Sequence, residues 1–358
     1  MMSLILGLSL PALACSWAGV AGFRRWAEKR RILDLPNQRS SHTKPTPRGG
    51  GLAIVATVLI FGSVLAAAVG EPGTWQVFLS YAGGAILISS VSWLDDLRSI
   101  PSWMRIFVHA IAAAVPVAII GYWPELTLPV IGTVQVGPLG ALVTMLWIVG
   151  LTNAYNFMDG IDGIAGGQAV VAGICWGLLG WWSGSYLPGG LGLLLASASL
   201  GFLVHNWPPA RVFMGDIGSA FLGYTLAVLP LVYTQPRGSP GGRALVVGAL
   251  LVWPFVFDTV FTFLRRLIRG ENVLQAHRSH LYQRLVTAGW SHRKAAVLYI
   301  GLALAGGLLG RVYSLGAIHG DFILLAILPA LAASLWILVI ARERKAGAKI
   351  RVESEPGK

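Results

Sequence analysis

The sequence predicts an all-α, polytopic integral membrane helix bundle of about eleven transmembrane helices, with the N-terminus periplasmic and the C-terminus cytoplasmic. Three observations carry this. Of 358 residues, 55% are hydrophobic and only 12% charged, about half the charge of an average soluble domain. Eleven windows stay apolar for roughly the 20 residues that a helix needs to cross a bilayer. The Lys and Arg residues between those windows fall almost entirely on alternate sides. The same composition excludes disorder, which needs low hydrophobicity. It also argues against a nucleic-acid partner despite a net charge of +12, because the basic residues are scattered among long apolar runs. Cys15 and Cys175 both lie in apolar runs and make neither a disulfide framework nor a metal site.

The windows run approximately 3–23, 50–70, 76–94, 104–121, 138–154, 163–182, 187–205, 217–234, 244–264, 294–313 and 321–341. The first is a span and not a signal peptide. Nothing basic precedes Arg24, and eight Lys or Arg follow between Arg24 and Arg48, the reverse of a signal's charge order. Residues 126–137 alternate like a small hairpin around Gly132-Thr133, and the stretch 244–268 reads as one kinked helix or a helix and a half. With the N-terminus outside, 24 of the 27 Lys and Arg residues are cytoplasmic and only Arg237, Arg243 and Arg311 are not. One helix wrongly split or merged would swap every later loop and spoil that asymmetry. Nine tryptophans (Trp26, Trp75, Trp93, Trp103, Trp123, Trp181, Trp182, Trp207 and Trp290) fall near span ends as interfacial anchors. Gly306 and Gly310, four residues apart, hint at close helix packing. The organisation is therefore one transmembrane domain, 1–341, with cytoplasmic loops 24–49, 95–103, 155–162, 206–216 and 265–293, followed by a basic cytoplasmic tail, 342–358.

Six of the 15 acids sit beside or inside spans. Asp95 and Asp96 close the third, Asp159 and Asp162 lie between the fifth and sixth, Asp216 opens the eighth and Asp258 lies within the ninth. Five of them converge from three loops on the cytoplasmic interface. Any one would serve as a helix cap. Several carboxylates without a matching number of nearby Lys or Arg repel one another, however, and a bound divalent cation is the usual remedy.

Their neighbours point the same way. In Asn153-Ala-Tyr-Asn156-Phe-Met-Asp159-Gly-Ile-Asp162, polar groups recur every three residues and share a helix face. The next helix then begins with its positive end toward them, which suits a phosphate, while Asn and Asp oxygens suit Mg²⁺. In Asn206-Trp-Pro-Pro-Ala-Arg-Val-Phe213-Met-Gly-Asp216, proline stops the helix and glycine lets backbones approach. Phe213 there is either a stacking surface for a nucleobase or a packing aromatic. The loop Arg265–Lys294 holds His277-Arg278-Ser279-His280. If that stretch is helical, His277, His280 and Arg284 share one face while Leu274, Leu281 and Leu285 form an apolar one, as on an interfacial helix. The surrounding arginines favour an anion over a cation there. Arg39–Gly51, containing Lys44 and Arg48, is a proline-rigid basic loop ending in glycines.

Taken together, from about Asp34 to Arg284, these four blocks resemble the polyprenyl-phosphate N-acetylhexosamine-1-phosphate transferases of glycosyltransferase family 4. The blocks Asp159-Gly-Ile-Asp162-Gly and Phe213-Met-Gly-Asp216-Ile-Gly-Ser are the most specific. Within the family, His42-Thr-Lys-Pro-Thr-Pro-Arg-Gly-Gly and His277-Arg-Ser-His280-Leu-Tyr-Gln-Arg are similar to the O-antigen-initiating enzymes. The consecutive histidine triplet of the muramoyl-pentapeptide enzymes is absent, and Arg105 stands where many relatives have Lys after the aspartate pair.

The resemblance implies a bacterial inner-membrane enzyme whose active site faces the cytoplasm. It would transfer a sugar 1-phosphate from a UDP-aminosugar to undecaprenyl phosphate, giving undecaprenyl-diphosphate-sugar and UMP, at the first membrane step of O-antigen or other envelope polysaccharide synthesis. It further implies Mg²⁺, or Mn²⁺ in its place, and points to a homodimer. Asp216 and Asn156 would hold the metal. Asp95 and Asp96 would position and deprotonate the lipid phosphate, and Asp159 and Asp162 would organise the metal and uridine side. Phe213 would stack uracil; Arg105, His277, His280 and Arg284 would neutralise diphosphate charge; and Lys44, Arg48, Asn153, Asn206 and Arg278 would complete the substrate contacts. A single in-line displacement and a phosphoryl-aspartate route both satisfy these residues. The subgroup points to N-acetylfucosamine or N-acetylquinovosamine as the sugar, with N-acetylglucosamine next. The rival readings are a secondary transporter, which would place its polar residues near the midplane between repeated halves, and a membrane scaffold whose acids only cap helices.

Overall fold

The structure is a computed structural model that describes residues 1–35, 45–234, 241–273 and 277–354, with side chains to residue 347 in the last helix. Its spanning helices are α1 (Met2–Arg30), α2 (Gly51–Val69), α3 (Thr74–Leu97), α4 (Ser102–Ile119), α5 (Leu139–Met158), α6 (Ile164–Ser183), α7 (Tyr186–Asn206) and α8 (Gly215–Tyr233). They are followed by α9 (Gly241–Leu251), α10 (Trp253–Ile268), the short α11 (Leu281–Thr287), α12 (His292–Ser314) and α13 (Ile318–Ser354). Among the described residues ten helices are long and apolar enough to cross a membrane, and an eleventh span results if α9 and α10, bent by 82°, are counted as one. The apolar windows thus mark the spans, but helices outrun them. The α1 helix continues to Arg30 and α13 to Ser354, because charge ends a hydrophobic window without ending a helix. The expected boundary at 341 and 342 therefore falls inside α13.

The bundle is built around α8, whose residues from Ile217 to Val232 are all buried. Outer helices instead present apolar side chains outward, among them Leu10, Phe107, Leu308 and Ile337, as a lipid-facing surface requires. The ninth predicted span is the broken one. A break inside a bilayer frees backbone groups that need partners. Here Gln168 Nε2 of α6 donates to the Leu251 carbonyl at 2.7 Å; beside it Trp253 Nε1 donates to Leu302 O at 2.8 Å and ties the start of α10 to α12. Pro254 in the first turn of α10 suits a helix start, where its missing N–H costs nothing.

The expected hairpin is present as β3 (Glu125–Leu128) paired antiparallel with β4 (Gly132–Gln135). Its turn is Pro129 to Ile131, so Gly132 opens the second strand instead of forming the turn. Tyr313 Oη holds it by donating to Thr127 O at 2.6 Å, and Asp321 accepts from Val130 N at 3.0 Å. Trp123, expected at the interface, is instead buried, and its backbone N–H donates to Thr144 Oγ1 of α5.

The glycine pair on α12 divides in two. A methyl group on Gly306 would collide with the Leu250 carbonyl and the Trp253 ring, directly at the break, whereas one on Gly310 would meet its nearest neighbours at 3.6–3.8 Å. Overpacking costs about 1–3 kcal/mol, while alanine in place of a helical glycine gains up to roughly 1 kcal/mol. Thermal unfolding in detergent should therefore show Gly306→Ala clearly destabilised and Gly310→Ala unchanged or stabilised. Equal behaviour of the two would refute tight packing at the break.

Candidate active site

Described parts of the five loops expected on one side meet at one end of the bundle, and a single carboxylate joins three of them. The α8 helix has no side-chain cap of its own. Its cap comes from α3: Asp96 accepts from Asp216 N at 2.9 Å and from Ile217 N at 3.1 Å. An acid there also suits the positive end of the helix. Gly215 makes the approach, with φ of 76°, and a Cβ at that position would stand 2.6 Å from Asp96 Oδ2. The Asp96 side chain is only 2% exposed.

Arg48 completes the junction. Its Nε lies 2.7 Å from Asp96 Oδ1 and its Nη2 2.8 Å from Asp216 Oδ1. The chain carrying it is laced to the loop before α8. Strands β1 (Leu33–Asp34) and β2 (Thr46–Pro47) pair, Phe213 N donates to Pro47 O, and Gly49 N and Gly50 N donate to Phe213 O. Asp95 is held separately: Oδ1 accepts from Ile100 N at 2.7 Å, and Oδ2 faces Arg105 Nη1, which also reaches Asp216 Oδ2 at 3.5 Å. This corrects the expected shortage of bases, since Arg48 and Arg105 interleave with Asp95, Asp96 and Asp216. The two arginines hold carboxylates in this structure, and Asp96 spends both oxygens on a helix end and a guanidinium.

Asp159 differs from the other acids. It follows the last turn of α5 and has no hydrogen-bond partner for its carboxylate among the described residues. Burial, with the charges of Asp216, Asp96 and Asp162 adding to it, holds its carboxyl well above the usual carboxylate range against the pull of Arg48. One turn back, Asn156 donates through Nδ2 to Ser219 Oγ of α8 at 2.9 Å, which ties the two helix ends together and leaves its amide oxygen open. Among the described residues, no three His, Cys, Asp or Glu side chains converge in a ready-made metal cage. The donors open to a cation are the Asp159 carboxylate and the Asn156 oxygen, with the partly exposed Asp216, held by Arg48 and Arg105, beside them. Such a sparse oxygen set is what Mg²⁺ takes when water and phosphate complete its shell.

Several expected substrate contacts turn out to be internal. Asn206 is buried, its Oδ1 accepting from Gly163 N and its Nδ2 donating to Val212 O. Asp162 accepts from Ala210 N at 3.0 Å and pairs with His292 Nδ1 at 3.3 Å. Arg284 makes a two-pronged ion pair with Glu343 of α13, at 2.7 and 2.6 Å, and lies over the Trp336 ring. It clamps the last helix and is not free for a diphosphate. Asn153 donates to Val149 O and meets His109 Nδ1 at 3.2 Å. Phe213 is half-buried and Arg278 exposed. Lys44 lies outside the described residues.

The helix expected through the histidine loop begins only at Leu281, with Leu281 and Leu285 on its buried side. His277 and Ser279 precede α11, His280 is its N-cap, and Leu281 and Leu285 are fully buried; Leu274 lies outside the described residues. His277 Nδ1 accepts from Ser279. Burial, then His280 and Arg266, push its pKa down to about 4, so at neutral pH it offers an N–H and not the positive charge expected of it. The sequence alone assigns no role to His292, Ser219, Tyr282 or Tyr299, although Ser219 and Tyr282 lie inside two of the quoted blocks, Ser219 three residues after Asp216 on the same helix face.

The chain matches glycosyl transferase family 4 over residues 78–234. It is 31% identical over 297 residues, 82% of this chain and 79% of the relative, to a Bacillus subtilis protein named "Probable undecaprenyl-phosphate N-acetylglucosaminyl 1-phosphate transferase". It is 32% identical over 311 residues, 80% of this chain and 75% of the relative, to the decaprenyl-phosphate N-acetylglucosaminephosphotransferase of Mycolicibacterium smegmatis. Against the undecaprenyl-phosphate alpha-N-acetylglucosaminyl 1-phosphate transferase of Escherichia coli it is 27% identical, covering 81% of this chain and 77% of the relative. With the aspartate, asparagine and arginine side chains of the matched region meeting at one end of a helical bundle, the chain belongs to glycosyl transferase family 4, among the polyprenyl-phosphate N-acetylglucosamine-1-phosphate transferases.

Proposed function

We propose that this protein transfers an N-acetylhexosamine 1-phosphate from a UDP-sugar to a polyprenyl phosphate, with the site at the cytoplasmic end of the bundle. The observation that carries the reading is the unpaired Asp159 carboxylate beside Asp216 and Asn156, at a bundle end rich in arginine. Two anionic phosphates can meet there only if their repulsion is cancelled. The orientation is supported by the 24 Lys and Arg residues assigned to that end of the chain. The relatives are named for N-acetylglucosamine, which favours that sugar over the 6-deoxy sugars that the histidine and proline-rich blocks suggested. By the same likeness the acceptor is undecaprenyl or decaprenyl phosphate. A place at the start of an envelope polysaccharide follows from a lipid-diphosphate product.

In the reaction, an oxygen of the lipid phosphate attacks the phosphorus that bears the sugar. A P–O–P bond forms, the bond to the UMP oxygen breaks, and UMP leaves with the electron pair. A phosphate monoester has its second pKa near about 6, so the acceptor is already largely dianionic at neutral pH and needs no strong base. Asp95 and Asp96, both held by backbone N–H groups and arginines, keep the site in shape and leave attack to the lipid phosphate itself. Asp159, Asp216 and the Asn156 oxygen would hold Mg²⁺, which supplies Lewis-acid charge to the donor diphosphate. Arg48 and Arg105, each already touching Asp216, stand where they can turn toward phosphate oxygens when these arrive.

Purified protein in detergent should release UMP from UDP-N-acetylglucosamine only when polyprenyl phosphate and Mg²⁺ are both present, and chelation should stop it. Release without the lipid acceptor, or transport of UDP-sugar by vesicles without release, would overturn the reading.

Asp159→Asn separates chemistry from stability. The unpaired charge opposes folding, and the opposition is fully present above the raised folded-state pKa. Neutral asparagine should therefore raise the melting temperature measured without Mg²⁺, by about 3 °C for each roughly 1 kcal/mol relieved in a large domain, and the gain should grow as the pH rises. Turnover should fall by at least about 100-fold. Added Mg²⁺ should stabilise the wild-type chain and leave this variant unmoved; an equal shift in both would remove Asp159 from the metal site.

A further inference from the structure

Asp258 is the acid that the sequence places inside a span, and the reaction above leaves it without a task. It is fully buried, yet donors surround it. Leu281 N lies at 2.8 Å, Tyr282 N at 3.2 Å, Thr262 Oγ1 at 3.1 Å, Tyr299 Oη at 2.6 Å and His280 Nδ1 at 3.2 Å. Five hydrogen bonds from α10, α11 and α12 offset the desolvation of a charge that would otherwise be costly in the bundle. Thr262 shares a helix with Asp258 and Tyr299 comes from α12, but three of the five donors belong to the His280–Tyr282 segment.

The contact with His280 has a chemical consequence. A carboxylate oxygen only accepts, so the ring nitrogen facing it carries a hydrogen. In the neutral ring this fixes the Nδ1–H tautomer and leaves Nε2 as the atom that can exchange a proton or hydrogen bond with anything outside. The ring is 5% exposed by its side chain and stacks on Tyr282 at 5.9 Å with 18° between planes. Tyr282 in turn donates through Oη to Phe157 O at 3.2 Å, two residues before Asp159. A methyl group on Gly160 would collide with that hydroxyl, so the contact has no slack. One buried carboxylate therefore sets both the orientation of a histidine and its height against the turn that carries Asp159.

We propose that Asp258 is a positioning residue, which consumes His280 Nδ1 and docks α11 so that His280 Nε2 is presented to the phosphate groups exchanged beside Asp159. The proposal rests on the phosphoryl-transfer reading given above. The arrangement has the logic of a buried acid orienting a catalytic imidazole, with the acid contributed from within a span and the histidine from the loop that follows it.

The test uses the full chain in detergent, following UMP release from UDP-N-acetylglucosamine with polyprenyl phosphate and Mg²⁺. Asp258→Asn should lower kcat about 100-fold with KM within about threefold. In a His280→Ala background it should cost nothing further, because the two residues act as one unit. Losses that multiply, or a wild-type kcat in Asp258→Asn, would overturn the proposal. Because replacing a buried carboxylate can unfold the chain, two variants that leave Asp258 intact are measured beside it. Glutamine at position 280 sets its amide near the place of Nε2, and asparagine sets its own near that of Nδ1. His280→Gln should keep about tenfold more kcat than His280→Asn, and equal or reversed values would overturn the proposal. A wild-type chain without turnover would overturn the reaction itself. An active wild type with independent variants overturns only the role of Asp258.

Discussion

The end of α8 is held by a side chain from another helix, and the site depends on that bond. Without the Asp96 carboxylate, the N–H groups of Asp216 and Ile217 would face a buried space with no acceptor, and Arg48 would lose its shorter ion pair. Asp216 sits where it does because Asp96 fixes the first turn beneath it. Arg48 and the β1–β2 loop are then drawn to the same point, and Asn156 ties α5 to it through Ser219. A helix terminus with its own Ser or Asp cap would have been independent of its neighbours. Borrowing the cap makes the site and the tertiary fold one structure.

The class of the fold was legible because a bilayer demands long apolar windows, and these are local in sequence. The break at Leu251 was half legible. The stretch 244–268 was too long for one simple helix, but Gln168, which satisfies the freed carbonyl, lies over eighty residues away and carries no local sign of that task. The site was legible as a set of residues and much less so as a set of partners. Asp95, Asp96, Asp159, Asp162 and Asp216 do gather, yet which of them keeps a free carboxylate depends on contacts such as Arg48 with Asp96 and Ala210 with Asp162, which spacing does not encode. Arg284 shows the same limit, because its partner Glu343 comes from a stretch that reads as a solvated tail. The histidine loop was half legible: Leu281 and Leu285 do form the apolar side of a helix, but α11 begins only at Leu281, so His277 and His280 precede it, a boundary set by the buried acid that takes its first N–H groups.

The polar groups also explain why this bundle is unlike a transporter. In that class a broken helix lines the substrate path with unwound backbone near the midplane. Here the carbonyl freed at the break between α9 and α10 is taken by a side chain, Gln168. The Asp159 carboxylate and the Asn156 oxygen are open at the bundle end. Charge is distributed there with economy: Arg48 and Arg105 answer Asp95, Asp96 and Asp216, Asp162 has His292, and Asp159 has no hydrogen-bond partner among the described residues.

Gly51 and Gly218, where α2 crosses the start of α8, offer each other only backbone: a Cβ on Gly218 would come 2.7 Å from Gly51 Cα. Two chains in such contact have no rotamer to exchange and no methylene to shorten, so the floor beneath Asp216 behaves as a rigid stop. Any rearrangement at this end of the bundle has to come from the loops around it, where side chains can swing, and not from a change in the spacing of α2 and α8.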